Sequence, residues 1–253
     1  MKSPGNASTC ASLLLASTLV AGVALAEERV FSAKGYAKNG GALLFVEEHR
    51  EQWDGERLLR METTYLRGDK ILAHQSLDFR SGRFTPSSRL DNLVTGGSLV
   101  VRVKDAGRVI EMERKSDRDA ERERETVSPP GRVVTPGGLQ LLIVEHWTEI
   151  EAGTAVDFSM VVPSRLAWYS LRVRKVRTLR EQGRTLIVVA LTPANAALRL
   201  IAPTTEFFFD SQTRALRRYE GQLTVTDADG DRLEGRVPFD QSPLDPPRSP
   251  RDG

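Results

Sequence analysis

The side chains with the clearest capacity for chemistry lie in the stretch "VEEHREQW". Glu47, His49 and Glu51 alternate there, and alternate residues of a strand share one face, so the imidazole would lie between two carboxylates. Such a face could orient histidine for acid–base catalysis, or bind a metal through mixed oxygen and nitrogen ligands. The simpler interpretation, which we favour, is a strand face in contact with solvent.

A second acidic feature is the stretch "LTVTDADGDRLEGRV", in which Asp227, Asp229 and Asp231 alternate. An EF-hand calcium loop needs glycine at its sixth position, glutamate at its twelfth and a helix on each side. Here Gly230 comes fourth, Glu234 comes eighth, and the flanks read as strands. Because Asp-Gly is a strong hairpin signal, we predict a β-turn, with a weak cation site as the alternative.

The strong catalytic motifs are missing. No His-x-x-x-His or His-Glu-x-x-His spacing occurs, and there is no Gly-x-Ser-x-Gly elbow or phosphate-binding glycine loop. The 36 basic and 34 acidic side chains nearly cancel, so no global field attracts nucleic acid. We therefore predict no cofactor, no metal and no nucleic-acid partner, and we favour a non-enzymatic protein over an enzyme.

The elements that must position these residues are mainly strands. "SLVVRVK" and "KILAHQSLDF" alternate apolar and polar residues with a period of two, which is typical of strands with one buried face. Asp54-Gly55, Gly68-Asp69 and Glu181-Gln182-Gly183 separate such runs as hairpin turns do. The fold class predicted is mainly β: a curved antiparallel sheet or open half-barrel packed around one main helix.

That main helix is predicted in "TPGGLQLLIVEHWTEIEAG", residues 135–153. Thr135 is the expected N-cap, with Pro136 at the first helical position. The apolar residues that recur at helical spacing are Leu139, Leu142, Ile143 and Trp147. A short second helix is expected at 193–201.

Clustered aromatic residues suggest a pocket between the sheet and the helix. Phe207, Phe208 and Phe209 are consecutive, so a strand must direct aromatic rings to both of its faces, and Trp168 adjoins Tyr169. A sheet with bulky apolar groups on both faces is either covered on both sides or lines a cavity. An ordinary core is the alternative. The candidate pocket residues are Leu142, Trp147, Trp168, Tyr169, Phe207 and Phe209.

The two ends of the chain predict export and a flexible tail. Residues 1–26 read as a cleaved signal peptide, with an apolar core at 11–25 and cleavage after Ala26. Cys10, the single cysteine, would be removed with it, which excludes disulfides in the mature chain. We expect a periplasmic protein with no transmembrane segment, one β-rich domain at 27–240, and a disordered proline-rich tail at 241–253.

The order of several segments resembles a group of uncharacterised secreted β-rich proteins of Gram-negative bacteria. The resemblance rests on "GYAKNGGALLFVEEHR", "LDFRSGRFTPSSRLDN", "VVPSRLAWYSLRV" and "LRRYEGQLTVTDADGD". It implies a periplasmic location and a large curved sheet, and it supplies no catalytic residue. The architecture also looks like the half-barrel of periplasmic lipoprotein carriers and envelope-stress sensors, which hold acyl chains between sheet and helices.

Three functions follow as hypotheses. The leading one is a periplasmic protein that binds a lipid, another hydrophobic small molecule or an envelope protein partner. The second is an envelope hydrolase that uses His49 with Glu47 or Glu51. The third is a structural or interaction module whose core is solid.

Overall fold

The computed structural model describes residues 26–38, 41–195, 204–227 and 230–245. Within these ranges one sheet contains fifteen strands. The strands are β1 Glu27–Ala37, β2 Leu43–Asp54, β3 Arg57–Arg67, β4 Lys70–Asp78, β5 Ser87–Asn92, β6 Ser98–Lys104, β7 Val109–Lys115, β8 Glu123–Val127, β9 Val133–Val134, β10 Val156–Val162, β11 Ala167–Glu181, β12 Arg184–Pro193, β13 Thr205–Asp210, β14 Leu216–Thr226 and β15 Arg232–Pro238. Two short helices, α1 Leu139–Glu145 and α2 Trp147–Glu151, complete the fold.

The sheet is assembled from two meanders. The order across it runs from β8 down to β1 and then from β15 down to β9. Strands β1 to β8 form the N-terminal half and strands β9 to β15 the C-terminal half. The halves are joined where β1 pairs with β15, antiparallel. The prediction of a mainly β fold with a large curved antiparallel sheet is confirmed, apart from the parallel pairing of β9 with β10.

The predicted hairpin turns lie between paired strands. Strands β2 and β3 reverse at Asp54-Gly55, β3 and β4 at Gly68-Asp69, and β11 and β12 at Glu181-Gln182-Gly183. The glycines of these turns adopt positive φ angles, which side chains with a Cβ rarely tolerate. The turn residues thus set the pairing of strands that bear functional side chains.

The prediction of one helix starting at Thr135 is wrong in two respects. The first helix begins at Leu139, because Gly137 has a φ of +92°, outside the helical region. The Thr135 hydroxyl donates to the carbonyl of Pro86 at 2.6 Å and does not cap the helix. The second difference is a break at His146, whose φ of −97° and ψ of 24° separate α1 from α2.

Both helices pack on the concave face of the C-terminal half. Leu142, Ile143 and Trp147 belong to one core cluster with apolar residues of the strands facing them. Those strand residues are Val173 on β11, Ile187 and Val189 on β12, and Phe207 and Phe209 on β13. The predicted packing of helix against sheet is confirmed, with two helices in place of one.

The two ends of the sheet meet through side chains. Val101 on β6, Ile110 and Met112 on β7, and Val161 on β10 form a separate buried cluster. Arg114 on β7 also donates to the backbone carbonyl of Ser164 at 2.8 Å. Among the described residues, the edge strands β8 and β9 each have a single neighbour in the ladder. We call this junction the seam; the sheet is curled yet open.

The segment 241–245 follows β15 and packs into the fold. Ser242 and Leu244 are buried, and Leu244 belongs to a cluster with Trp53, Met61 and Leu141. The expectation of a disordered tail therefore does not hold for these five residues. Residues 1–25 of the signal peptide predicted at 1–26, most of the predicted helix at 193–201 and the remainder of the tail lie outside the described residues.

Candidate functional site

A cavity of about 390 Å³ lies inside the curled sheet. One wall is polar and is formed by β2, β3 and β4, with Glu47, His49, Thr63, Tyr65 and Gln75. The facing residues are mostly apolar: Leu139, Met160, Leu191, Phe207, Leu216, Leu223, Val237 and Phe239. The volume is in the range of ~300–1,000 Å³ that is usual for small-molecule sites.

The polar wall is centred on His49, which is 4% exposed. Its Nε2 lies 3.0 Å from Glu47 Oε2, and its Nδ1 lies 3.1 Å from Thr63 Oγ1. The ring also stacks on Phe31, with centroids 4.6 Å apart. The expectation of a solvent-facing strand surface is wrong here, because the sheet curls so that this face of β2 points inward.

Two tyrosines lie close to the Glu47 carboxylate. Burial raises the pKa of Tyr219 to about 12, and the charge of Glu47 adds to the shift while a hydrogen bond with Thr205 opposes it. The same two causes, burial first and Glu47 second, raise the pKa of Tyr65 further. Tyr65 donates to Gln75 Oε1 at 3.2 Å. Both phenols therefore stay protonated at physiological pH.

Glu51 points inward as well but does not contact His49. It is completely buried and binds Arg29, with the closest nitrogen 2.6 Å away. It also accepts hydrogen bonds from Trp53 Nε1 at 3.0 Å and from the amide of Leu244 at 2.7 Å. Of the two carboxylates predicted to flank the histidine, Glu47 is its partner and Glu51 anchors the segment 241–245.

The segment 241–245 separates the central cavity from an outer one of about 540 Å³. Leu244 lines both. Gln140 on α1 donates to the Ser242 hydroxyl and to the carbonyl of Pro243, and Arg29 donates to the Ser242 carbonyl at 2.8 Å. This side of the central cavity is thus closed by the chain's own C-terminal segment.

The six predicted pocket residues do not line one cavity. Phe207 lies on the wall of the central cavity. Leu142, Trp147 and Phe209 lie in the packed core beneath the helices, with the Trp147 and Phe209 rings in edge contact at 5.7 Å. Trp168 and Tyr169 are 36% and 43% exposed. They occupy the start of β11, before its pairing with β12 begins at Leu171.

The acidic stretch forms a hairpin turn, as predicted. It joins the antiparallel strands β14 and β15, and Asp227 Oδ1 accepts from the amide of Asp231 at 2.9 Å. Asp229 lies outside the described residues. Within the described part of the chain, His, Cys, Asp and Glu side chains form no group of three or more suited to hold a metal ion.

Comparisons with known proteins give a distant structural similarity. No protein-family model matches it, and no curated protein matches it. It is similar to a solved structure, the "beta-barrel-like protein of domain of unknown function DUF1849" from Brucella abortus. The identity is 10%, the TM-score is 0.37, and the alignment covers 86% of this chain and 99% of that one. A likeness this distant carries no argument about function.

Several cavity residues were not singled out from the sequence. Thr63, Tyr65 and Gln75 lie on strands whose alternation was recognised, but no motif marks them. Tyr219 belongs to the quoted stretch "LRRYEGQLTVTDADGD" without a predicted role. Thr63 lies opposite His49, and Tyr65 opposite Glu47, in the β2–β3 hairpin. Counting back from the Asp54-Gly55 turn would instead have placed Glu62 opposite His49, because the register shifts by one residue between Gln52 and Trp53.

Proposed function

We propose that the protein is a non-enzymatic binding protein of the bacterial periplasm that holds a hydrophobic, lipid-like ligand in its central cavity. The observation that carries this proposal is the cavity itself, an apolar space of about 390 Å³ with one polar wall. Ligand sites commonly combine apolar lining with a few polar groups that fix orientation. A cavity of this kind favours ligand binding over a module with a solid core.

The periplasmic location rests on the sequence, in which Lys2 is followed by an apolar run and a small-residue cleavage site. The structure adds that no helix in the described ranges has the length and apolar character to cross a bilayer. Sequencing the N-terminus of the exported protein tests the location. A start at Glu27 supports it, and a start at Met1 would contradict it.

Probe uptake tests the cavity directly. N-phenyl-1-naphthylamine, whose fluorescence rises in apolar surroundings, is titrated into the purified protein, and native mass spectrometry detects any co-purified lipid. Leu191→Trp fills the cavity with extra ring volume and is expected to abolish uptake, since Leu191 lines the wall. Leu93→Trp is the matched control, because Leu93 is 46% exposed and lies away from this wall. Uptake unaffected by Leu191→Trp would reject the cavity as the site.

A second candidate, hydrolysis, is favoured by one observation. Thr63, His49 and Glu47 are hydrogen-bonded in series at 3.1 and 3.0 Å, the order of nucleophile, base and orienting carboxylate. Glu51 is excluded from this arrangement by its contacts with Arg29 and Leu244.

Ester hydrolysis separates the two functions. If the hydrogen-bonded series of Thr63, His49 and Glu47 is catalytic, the protein cleaves p-nitrophenyl butyrate. Thr63→Val and His49→Gln should then each remove the activity. The binding proposal expects that the wild-type protein and both variants hydrolyse the ester no faster than buffer does. Turnover that survives Thr63→Val would assign the activity to a contaminant or to another site.

A further inference from the structure

Resting on the proposed binding function, we propose that the central cavity selects single-chain amphiphiles whose polar end donates hydrogen bonds and carries no negative charge, and that Glu47 recognises this end. The apolar chain would lie along the opposite wall. This assigns a ligand class and a specificity-determining residue.

The charge of the cavity wall is the first argument. Its side chains include one carboxylate, Glu47, and one imidazole, His49, and the described residues that line it include no lysine or arginine. The pair has a net charge of −1 when His49 is neutral and zero when it is protonated. In neither state does the wall offer a net positive charge to an anion. An anionic head would lose its hydration beside a carboxylate without gaining a counter-charge.

Glu47 has hydrogen-bonding capacity left over. Its Oε2 is bound by His49, and among the described residues none donates a hydrogen bond to its Oε1. The side chain is 10% exposed, and it faces the cavity. A carboxylate can accept several hydrogen bonds. For a buried carboxylate, the strongest of these bonds comes from a charged donor. The spare oxygen therefore suits an ammonium, hydroxyl or amide group.

The neighbouring phenols do not compete for that oxygen. Tyr65 donates to Gln75, and Tyr219 donates to the backbone carbonyl of Gln222. Because both phenol protons are engaged elsewhere, the spare Glu47 oxygen stays open to a donor on the ligand.

The apolar lining of the cavity fits the rest of an amphiphile. Leu191, Phe207, Leu216 and Leu223 belong to it. Burial of apolar surface contributes about 25 cal/mol per Å² whatever the head group. The polar wall consequently decides selectivity, while the apolar wall supplies affinity.

An adjoining cavity of about 560 Å³ offers a competing site for an anionic head. It shares Gln75 and Thr224 with the central cavity and is lined by Arg114, Lys115 and Arg232. Arg114 is already paired with Glu123 at 2.7 Å, and Arg232 donates to Gln222 at 2.7 Å. A ligand directed by these cations would prefer anions, which makes the two alternatives distinguishable.

The experiment displaces bound N-phenyl-1-naphthylamine with three 12-carbon amphiphiles at pH 7.5, each below its micelle concentration. These are dodecylamine, monolauroyl glycerol and dodecanoate. The wild-type protein is expected to bind the amine and the glycerol ester about tenfold or more tightly than the carboxylate, a difference of ~1.4 kcal/mol. This ranking requires no variant, so it does not depend on the folding of a mutant.

Glu47→Gln then tests the residue. The substitution is expected to strengthen dodecanoate binding and weaken dodecylamine binding, each about tenfold, with monolauroyl glycerol changed least. Glu48→Gln is the matched control, because Glu48 is the next residue of β2 and is exposed on the opposite face. It is expected to leave all three affinities unchanged.

Three results would overturn the proposal while leaving the binding function intact. They are dodecanoate binding as tightly as dodecylamine, a ranking unchanged in Glu47→Gln, and a loss of dodecanoate binding in Arg232→Gln. Failure of the wild-type protein to take up the naphthylamine probe would instead reject the binding function itself.

Discussion

Strands β2 and β13 both face the interior of the same curled sheet, yet they carry opposite chemistry. The inward side chains of β2 include Glu47, His49 and Glu51. Those of β13 include Phe207 and Phe209, both in the main core cluster. The difference arises because the helices pack against the C-terminal half and leave the middle of β2 facing the cavity.

The comparison indicates a division of labour between the halves. Burying an apolar ring stabilises a fold by removing surface from water, so the C-terminal half with its helices supplies stability. Burying polar groups gives little net stability even when they are paired, so the polar wall of the N-terminal half is expected to contribute less stability. Four substitutions test this division, in order of decreasing expected effect.

Phe209→Ala should be the most damaging. The ring is completely buried and contacts Trp147, so its loss leaves a cavity and should lower the free energy of unfolding by about 3–5 kcal/mol. Chemical denaturation followed by circular dichroism measures it. Trp168→Ala, at a 36% exposed site, is the control and should cost less than about 1 kcal/mol. Equal losses in the two variants would contradict the assignment of stability to the core beneath the helices.

Arg29→Met should rank second. It removes the cation beside Glu51, which is completely buried, and an unpaired buried charge costs about 3 kcal/mol. Chemical denaturation at pH 7 measures the loss of stability. Arg50→Met, at the exposed pair with Glu28, should change little, and a loss there matching that of Arg29→Met would refute the argument.

Asp245→Asn should change the free energy of unfolding by about 1–2 kcal/mol in a pH-dependent way. This figure allows for the partial exposure of the carboxyl group. Burial raises the pKa of Asp245 to about 6, opposed by Ser242, Arg29 and Arg217. Since the folded state binds this proton more tightly than the unfolded state, the stability of the wild-type protein falls as pH rises from about 4 to about 6. The variant should melt higher than wild type at pH 7.5 and equally at pH 4. An equal difference at both pH values would exclude Asp245 as the cause.

The double substitution Glu47→Leu/His49→Leu should have the smallest effect on stability, within about 1 kcal/mol, because apolar residues of similar volume can replace both partners of a buried polar pair at little cost. It should nevertheless change ligand selectivity, since the cavity wall then lacks the Glu47 carboxylate that would accept hydrogen bonds from the ligand. Thermal melting and the displacement assay together measure this. A loss comparable to that of Phe209→Ala would mean that the polar wall is structural.

The sequence predicted the strands and the faces that their residues share, but not which face turns inward. On β2 the alternate set Glu48, Arg50 and Gln52 is as polar as Glu47, His49 and Glu51. Periodicity defines the two faces of a strand. When both faces carry charged residues, it does not show which of them is buried. The direction of curvature depends on the whole sheet and on the position of the helices, which local patterns do not contain.

The aromatic residues at the start of β11 lie away from the central cavity for a related reason. Trp168 and Tyr169 precede the point where β12 begins to pair with that strand at Leu171. Among the described residues they pair with β10 alone, and their rings remain half-exposed. Composition shows that these residues are apolar. Whether they are buried depends on another element packing over them, and the sequence does not show where that element lies.

The segment 241–245 shows how composition misleads over short distances. The prolines and polar residues of 241–253 predicted disorder, yet Ser242 and Leu244 are buried. The cause is long-range: the Leu244 amide binds Glu51, 193 positions away in the chain. Contacts of this separation leave no local signal.

The seam gives the molecule a mechanical property that a closed barrel lacks. Closed barrels resist widening because each strand is tied to two others along its backbone. Here the two ends of the sheet are held by the cluster of Val101, Ile110, Met112 and Val161, so parting them would expose apolar side chains to water and leave the ladders whole. Salts or temperatures that alter apolar hydration are therefore expected to shift how readily the seam parts.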